Sequence, residues 1–74
     1  MVNALASGDR RNAVWISTPS GGQEAVVFTS MGQRLQDLLN DGRLFLPVEV
    51  VVNGTPLIRL LNKRYIVSVD EVVK

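Results

Sequence analysis

Residues 44–61 read LFLPVEVVVNGTPLIRLL, and this stretch decides the fold. Two apolar arms, 44–52 and 55–61, flank the pair Asn53-Gly54, which is the strongest short-range signal for a β-hairpin with a type I′ turn. Alternate residues of a strand share a face, so one face of the first arm is predicted to be buried. That face consists of Leu44, Leu46, Val48, Val50 and Val52. Pro47 cannot donate to a ladder and therefore marks a bulge, a bend or a sheet edge.

The residues before this hairpin predict a second one. Residues 13–18 and 23–29 have the composition and spacing of strands. The turn 19–22 between them contains two glycines, which allow the positive φ that a tight reversal requires. Residues 1–12 mix small and polar side chains. We expect them to form a flexible N-terminal segment, with a short docking helix at its end as the alternative.

A short helix is predicted between the two hairpins, over residues 31–39. Ser30 and Gln33 have the spacing of a capping box, and Asn40-Asp41-Gly42 is a typical helix end. One face of this helix carries Leu35, Leu38 and Leu39. A helix of this length is not stable in water by itself, so its leucines are expected to pack against the sheet.

Residues 64–69 are predicted to form a fifth strand, reached through a tight corner at Asn62-Lys63, with 70–74 as a tail. The chain has 74 residues, which is enough for a single small domain over 1–74. Its hydrophobic residues, 46% of the total, are dominated by Val, which favours strands over helices. The sequence therefore predicts a mainly β fold, in which a five-stranded, strongly bent antiparallel sheet carries one short helix between strands 2 and 3.

The composition argues against enzymatic chemistry. The chain has no Cys and no His, which removes disulfides, thiol nucleophiles, serine-histidine triads and the commonest metal ligand. Asp37 and Asp41 could hold Mg²⁺, although carboxylates at a helix end more often face water. Asp70 and Glu71 are adjacent in an extended segment, so their carboxylates point apart. We expect no catalytic residue, no metal and no cofactor.

Charge and hydropathy give no indication of a membrane or of a dedicated polyanion partner. The net charge is +1, and no apolar run approaches the ~20 residues that span a bilayer. No stretch has the features of a signal peptide. We therefore expect a cytoplasmic protein with no membrane partner.

The last three predicted strands are apolar on both faces, which is more than one helix can cover in a chain of this length. An exposed apolar strand is an aggregation hazard unless it is paired in a controlled way. We therefore predict a homo-oligomer in which strands pair between subunits and symmetry closes a ring or a dimer, with an ordinary monomer as the alternative. The predicted interface residues are Trp15, Phe45, Ile58, Leu60, Tyr65 and Val67.

Two segments resemble a known fold family. Residues 57–66, LIRLLNKRYI, are similar to the second motif of the Sm-like (LSm) barrel, which has an apolar pair, Arg-Gly, a polar turn and Tyr-Ile. Residues 34–40 and 45–48 resemble small bacterial and phage-type proteins of unknown function that are thought to share this fold with an inserted helix. The resemblance implies ring-forming oligomers in which neighbouring subunits extend one continuous sheet. The predicted helix replaces the loop that holds uridine in Sm proteins, and Leu60 stands where the motif has Gly.

Single-stranded RNA is the alternative partner. The resemblance assigns Arg59 as the motif arginine and Asn62 as the turn residue, and Lys63 and Arg64 extend this basic cluster at the same corner. A ring would repeat the cluster around its opening, and Trp15 and Phe45 could stack on bases. The competing interpretation is that these arginines pair across strands with Glu49, Asp70 or Glu71. The favoured function is a non-catalytic interaction module that binds itself or another protein through aromatic anchors.

Overall fold

A computed structural model of the protein describes residues 10–72. In chain order, its elements are β1 (Arg10–Thr18), β2 (Gly21–Thr29), α1 (Leu35–Leu39), β3 (Phe45–Val52), β4 (Thr55–Asn62), a 3₁₀ turn (Lys63–Tyr65) and β5 (Ser68–Glu71). The strands form one sheet in the order β4-β3-β2-β1-β5, and all neighbouring strands are antiparallel. The predicted fold class, a mainly β chain with one short helix between the second and third strands, is confirmed.

The first strand begins earlier than the sequence pattern predicts. β1 starts at Arg10, which pairs with Thr29, so residues 10–12 of the predicted N-terminal segment belong to a strand. The Asn12 amide explains this extension, because it donates to Thr29 Oγ1 and to the Val27 carbonyl, both at 3.0 Å. Thr29 is buried and polar, so this bond satisfies a hydroxyl that burial would otherwise penalise. The rest of the predicted N-terminal segment, residues 1–9, lies outside the described residues.

The β3–β4 hairpin forms as predicted. Asn53 and Gly54 have φ values of +52° and +79°, the combination that a type I′ turn requires. The buried core is formed by Val14, Ile16, Ala25, Val27, Leu35, Leu38, Leu46, Val48 and Val50. Leu44 and Val52, which were predicted to belong to it, are exposed: Leu44 precedes β3, and Val52 is its last residue, next to the turn.

The helix is shorter than predicted and begins at Leu35. Gly32 has a φ of +81°, a left-handed conformation that cannot continue a helix from residue 31. Ser30 and Gln33 still interact, with the Ser30 N–H donating to Gln33 Oε1 at 3.0 Å, but they close a turn and do not cap the helix. The helix is capped instead by Asp37, whose carboxylate accepts from the Arg34 N–H at 3.1 Å.

The predicted contact between the helix and the sheet is confirmed. Leu35 and Leu38 are buried in the core cluster, and Leu39 packs against it while half-buried. Gln36 and Asp37 on the opposite side are exposed. A helix of five residues has no independent stability, so these leucines hold it in place.

The sheet bends where its two hairpins meet. β2 and β3 pair only at Val26↔Glu49 and Val27↔Val48, whereas the β3–β4 ladder runs from Phe45↔Asn62 to Val52↔Thr55. Beyond this short contact the first part of β2 and the last part of β3 separate. An open cleft lies there, lined by β2, the end of β3 and Arg59 of β4, and Arg59 reaches across to Gln23 of β2.

The fifth strand lies later in the chain than predicted. Residues 63–65 form the 3₁₀ turn, because the Asn62 side chain accepts from the Arg64 N–H at 2.9 Å and reverses the backbone there. The chain then crosses to the outer side of β1, where Ser68–Glu71 pairs from Ser17↔Ser68 to Val14↔Glu71. Asp70 and Glu71, predicted as part of a tail, are therefore strand residues.

Candidate interaction site

The outward face of the β3–β4 hairpin is apolar and exposed. Its cross-strand pairs are Phe45↔Asn62, Pro47↔Leu60, Glu49↔Ile58 and Val51↔Pro56. Ile58 and Leu60 are 50% and 63% exposed, and Phe45 and Val51 are exposed beside them. We call these four residues the apolar hairpin face. Glu49, the charge within it, is paired with Arg11 Nη2 of β1 at 2.5 Å. Exposed apolar surfaces of this kind are typical of protein–protein contacts.

The structure brings three of the six predicted interface residues together on this face: Phe45, Ile58 and Leu60. Trp15 lies on β1, with β2 and β3 between it and β4. Its ring covers Gly22, where an added Cβ would be 2.5 Å from Cζ2 of the indole. Gly22 therefore makes room for Trp15 and does not supply a turn conformation. Tyr65 and Val67 lie between β4 and β5 and are 65% and 70% exposed.

The free edge of β4 presents backbone groups that no strand within residues 10–72 binds. In a two-residue hairpin, Val52 and Thr55 form the first hydrogen-bonded pair of the ladder. Hydrogen-bonded and non-hydrogen-bonded pairs then alternate along an antiparallel ladder, so the N–H and C=O groups of Ile58 and Leu60 point away from β3. Pro56 has no N–H, which restricts pairing at this edge to the residues that follow it.

The opposite end of the sheet has a second free edge, on β5. The Val72 N–H donates to the Ala13 carbonyl at 2.9 Å, in register with the pair Val14↔Glu71. The alternation of the ladder then directs the backbone groups of Val69 and Glu71 away from β1. The described chain thus has a free strand edge on each side of its sheet, one on β4 and one on β5.

Lys63, which the sequence predicts to contact nucleic acid, is bound to other residues of the fold. Its ammonium group donates to the Leu38 carbonyl at 2.9 Å and to Asp41 Oδ1 at 2.5 Å. Its backbone N–H also donates to the Leu44 carbonyl at 2.8 Å. A cation that binds the last carbonyls of a helix satisfies groups the helix leaves open. Through these hydrogen bonds, Lys63 connects the end of α1 to the corner after β4.

Asp41 is held in its ionised form by two cations. The hydrogen bond from Lys63, followed by those from Arg43, keeps the pKa of Asp41 well below its ordinary value of 3.8. The Arg43 guanidinium donates through Nη2 at 2.9 Å and through Nε at 3.1 Å to the same oxygen, Oδ2. Asp37, the other carboxylate considered for Mg²⁺, is paired with Arg34 at 3.6 Å. These contacts occupy both carboxylates with protein cations.

The other residues predicted to contact nucleic acid, Arg59, Asn62 and Arg64, lie in different environments. Asn62 uses its side-chain oxygen to hold the 3₁₀ turn, and Arg64 is exposed beside it. Arg59 lies opposite Val48 in the ladder, on the inward side of β4, and its Nη1 donates to Gln23 Oε1 at 3.3 Å. Among residues 10–72, Arg59 and Arg64 form no ion pair, and the predicted pairing with Glu49, Asp70 or Glu71 is absent there.

Gln23 is the residue of this region that the sequence analysis did not single out. Its Nε2 atom is buried and, within the described chain, has no hydrogen-bond acceptor. A signal for it exists in the sequence, because residues 23, 25, 27 and 29 alternate on the inward face of β2 and positions 23 and 29 are polar. Thr29 accepts from Asn12, whereas Gln23 Nε2 has no acceptor among residues 10–72. Such a position indicates either a structural hydrogen bond or a ligand contact.

The comparisons with known proteins leave the family unassigned. No protein-family model matches the chain, and neither do curated proteins or solved structures. Within the described residues, no group of three metal-ligating side chains is close enough to hold an ion. No helix in that part of the chain has the length and hydropathy to cross a bilayer.

Proposed function

We propose that this chain is a non-catalytic interaction module that assembles with copies of itself through the free edges of β4 and β5. The observation that carries the proposal is the coincidence of these edges with exposed apolar side chains. Ile58 and Leu60 flank one edge, and Val67 and Val72 flank the other. Unpaired strand edges are templates for pairing with another chain.

Charge favours a contact between unlike edges over one between two β4 edges. If two copies of β4 paired antiparallel through their outward residues, Ile58 of one would face Leu60 of the other, and two Arg59 side chains would stand opposite each other. Like charges directly opposite on neighbouring strands are destabilising. The β5 edge carries Glu71 and no cation among its described residues. A β4-to-β5 contact therefore avoids the repulsion.

A contact between unlike edges is heterologous and repeats from copy to copy until rotation closes it into a ring. This is the assembly that the Sm-like resemblance implies, with neighbouring subunits extending one sheet. The apolar hairpin face then lies beside the junction, where part of it can be covered by the neighbouring copy and the rest is left for another protein. Phe45, an aromatic side chain on this face, is the expected anchor of such a contact.

The test is the mass in solution of Leu60→Pro, with Leu60→Ile as its matched control. The Leu60 N–H does not bond to β3, so proline is compatible with the hairpin but removes the edge donor. We expect light scattering at micromolar concentration to give a multiple of 8.1 kDa for the wild type and for Leu60→Ile. Leu60→Pro should give a single 8.1 kDa unit with an unchanged far-ultraviolet circular dichroism spectrum.

Hydrogen exchange provides a second readout. In the assembly the amides of Ile58 and Leu60 should be protected, and dilution to the monomer should release them while Arg59, bonded towards β3, stays protected. A wild-type chain that runs as a monomer at micromolar concentration, or a Leu60→Pro variant with the wild-type mass, would refute the proposal.

Single-stranded RNA binding is the second candidate, and the specific observation in its favour is the exposed pair of guanidinium groups of Arg59 and Arg64. Lys63, whose ammonium is bound to Asp41, is not expected to contribute. If both arginines contact phosphates, the double variant Arg59→Ala/Arg64→Ala should reduce the slope of log K against log salt by roughly 1.4, about 0.7 for each contact on a single strand. An unchanged slope would eliminate this candidate.

A further inference from the structure

The contact between Arg59 and Gln23 leaves strong hydrogen-bond donors unused. The distance from Arg59 Nη1 to Gln23 Oε1 is 3.3 Å, at the long end for such a bond. A guanidinium has five N–H donors, and this contact uses one of them. Buried Gln23 Nε2 has no acceptor among residues 10–72. A buried donor without an acceptor is costly, by about 1–3 kcal/mol, and is rare in native proteins.

Two clefts meet at this pair, and they differ in charge. The first, of about 610 Å³, separates β2 from the end of β3 and is lined by Glu24 and Glu49 as well as by the pair. The second, of about 510 Å³, lies between the β1–β2 turn and the corner after β4. No carboxylate is among the described residues that line the second cleft. Glu24 therefore disfavours an anion in the first cleft, where Glu49 is already paired with Arg11, and no carboxylate of the described lining does so in the second.

The second cleft combines a polar end with an apolar wall. Arg59 and Gln23 form the polar end, and Pro19, Ile66 and the exposed ring of Tyr65 line the opposite side. Ligand pockets of small molecules have this construction, with a few convergent polar groups in mainly apolar surroundings. The lining comes from two separate parts of the fold, the first hairpin and the corner, so the cleft exists only in the folded chain.

From this geometry we infer that the second cleft binds a small organic acid through its carboxylate. The planar guanidinium of Arg59 matches the two oxygens of a carboxylate in a bidentate contact, and Gln23 Oε1 accepts from Nη1 and so orients the guanidinium. Arg59 is the one cation in the described lining, so it balances a single negative charge and not the two of a phosphate. The apolar body of the acid packs against Tyr65 and Ile66.

Benzoate is the probe, with benzamide as its neutral isostere and inorganic phosphate as the competing anion. The titrations are followed by nuclear magnetic resonance. The signals of the Gln23 side-chain amide should shift saturably when benzoate is added, and should not shift with benzamide or with phosphate. Arg59→Lys keeps the charge but loses the bidentate contact, and it should weaken binding about tenfold. Arg59→Gln should abolish binding, whereas the matched control Arg64→Gln, which removes the same charge at the same corner, should bind as the wild type does.

The outcomes separate this inference from the proposed function, since the proposed function is tested by the mass of the assembly and the benzoate titration does not depend on that mass. Equal responses to benzoate and benzamide, saturable binding of phosphate at the same signals, or wild-type binding by Arg59→Gln would each overturn the carboxylate site. If Arg59→Gln does not fold, Arg59→Lys replaces it in the test, and binding of benzoate by Arg59→Lys with the wild-type affinity would overturn the carboxylate site.

Discussion

Replacement of Leu38 by Ala tests whether the short helix is held by its leucines. Leu38 is 5% exposed and packs in the core cluster on the inner side of the sheet. The substitution removes three buried carbons, worth about 0.8 kcal/mol each, and leaves a cavity that raises the cost further. We expect the free energy of unfolding to fall by about 3 kcal/mol.

This loss is large for so small a domain. A stability of roughly 0.05–0.15 kcal/mol per residue gives the whole chain about 4–11 kcal/mol, so Leu38→Ala should remove a large fraction of it. At about 4–8 °C for each kcal/mol, the melting temperature should fall by roughly 12–24 °C. Urea unfolding followed by the fluorescence of Trp15 measures the change. All variants are compared at one protein concentration, because association shifts apparent stability.

Gln36→Ala is the matched control, since Gln36 lies on the exposed side of the same helix. It should change the free energy of unfolding by no more than about 0.5 kcal/mol. Leu39→Ala, at a half-buried position, should lie between the two. Equal effects of Leu38→Ala and Gln36→Ala would show that the helix does not contribute to the core.

Three further predictions concern the turns and the corner. Gly22→Ala should push Trp15 off β2, change its emission maximum and cost about 1–3 kcal/mol, whereas Gly42→Ala, where an added Cβ meets open space, should be nearly neutral. Gly54→Ala places a side chain at a φ of +79° and should cost about 1 kcal/mol in urea unfolding. Because the pKa of Asp41 is lower in the folded chain than in the unfolded chain, Asp41 stabilises the fold above about pH 4, and this stabilisation is lost as the pH falls. In Asp41→Asn, the free energy of unfolding should therefore decrease less steeply below about pH 4 than in the wild type. The same decrease in both proteins would contradict the ion pairs assigned to Asp41.

The elements that the sequence predicted well are those with a local cause. The Asn53-Gly54 turn needs only the backbone preferences of its two residues, and the alternation in β3 needs only the pleat. The helix start was wrong because Gly32 takes a left-handed conformation that the capping-box pattern does not reveal. The fifth strand was misplaced because its partner is β1, some 50 residues away, and pairing with that free edge decides where the strand begins.

The candidate site shows the same division between local and distant causes. The clustering of Arg59, Lys63 and Arg64 is visible in the sequence, but which of these cations is available to a ligand depends on residues far along the chain. Asp41, 22 positions away, binds Lys63, and Gln23, 36 positions away, contacts Arg59. Charge counts therefore overstate the basic character of the corner, because part of it is neutralised by the fold.

The two proposals depend on one property of β4, which is that it combines a free edge with an inward-facing arginine. An edge strand with apolar flanks invites uncontrolled pairing, and an inward-pointing charge is one of the means by which proteins limit it. Arg59 opposes pairing between two β4 edges, yet Gln23 gives it only a weak partner inside the fold. The same side chain can therefore restrict which edge β4 accepts and still offer unused donors to a carboxylate in the cleft beneath.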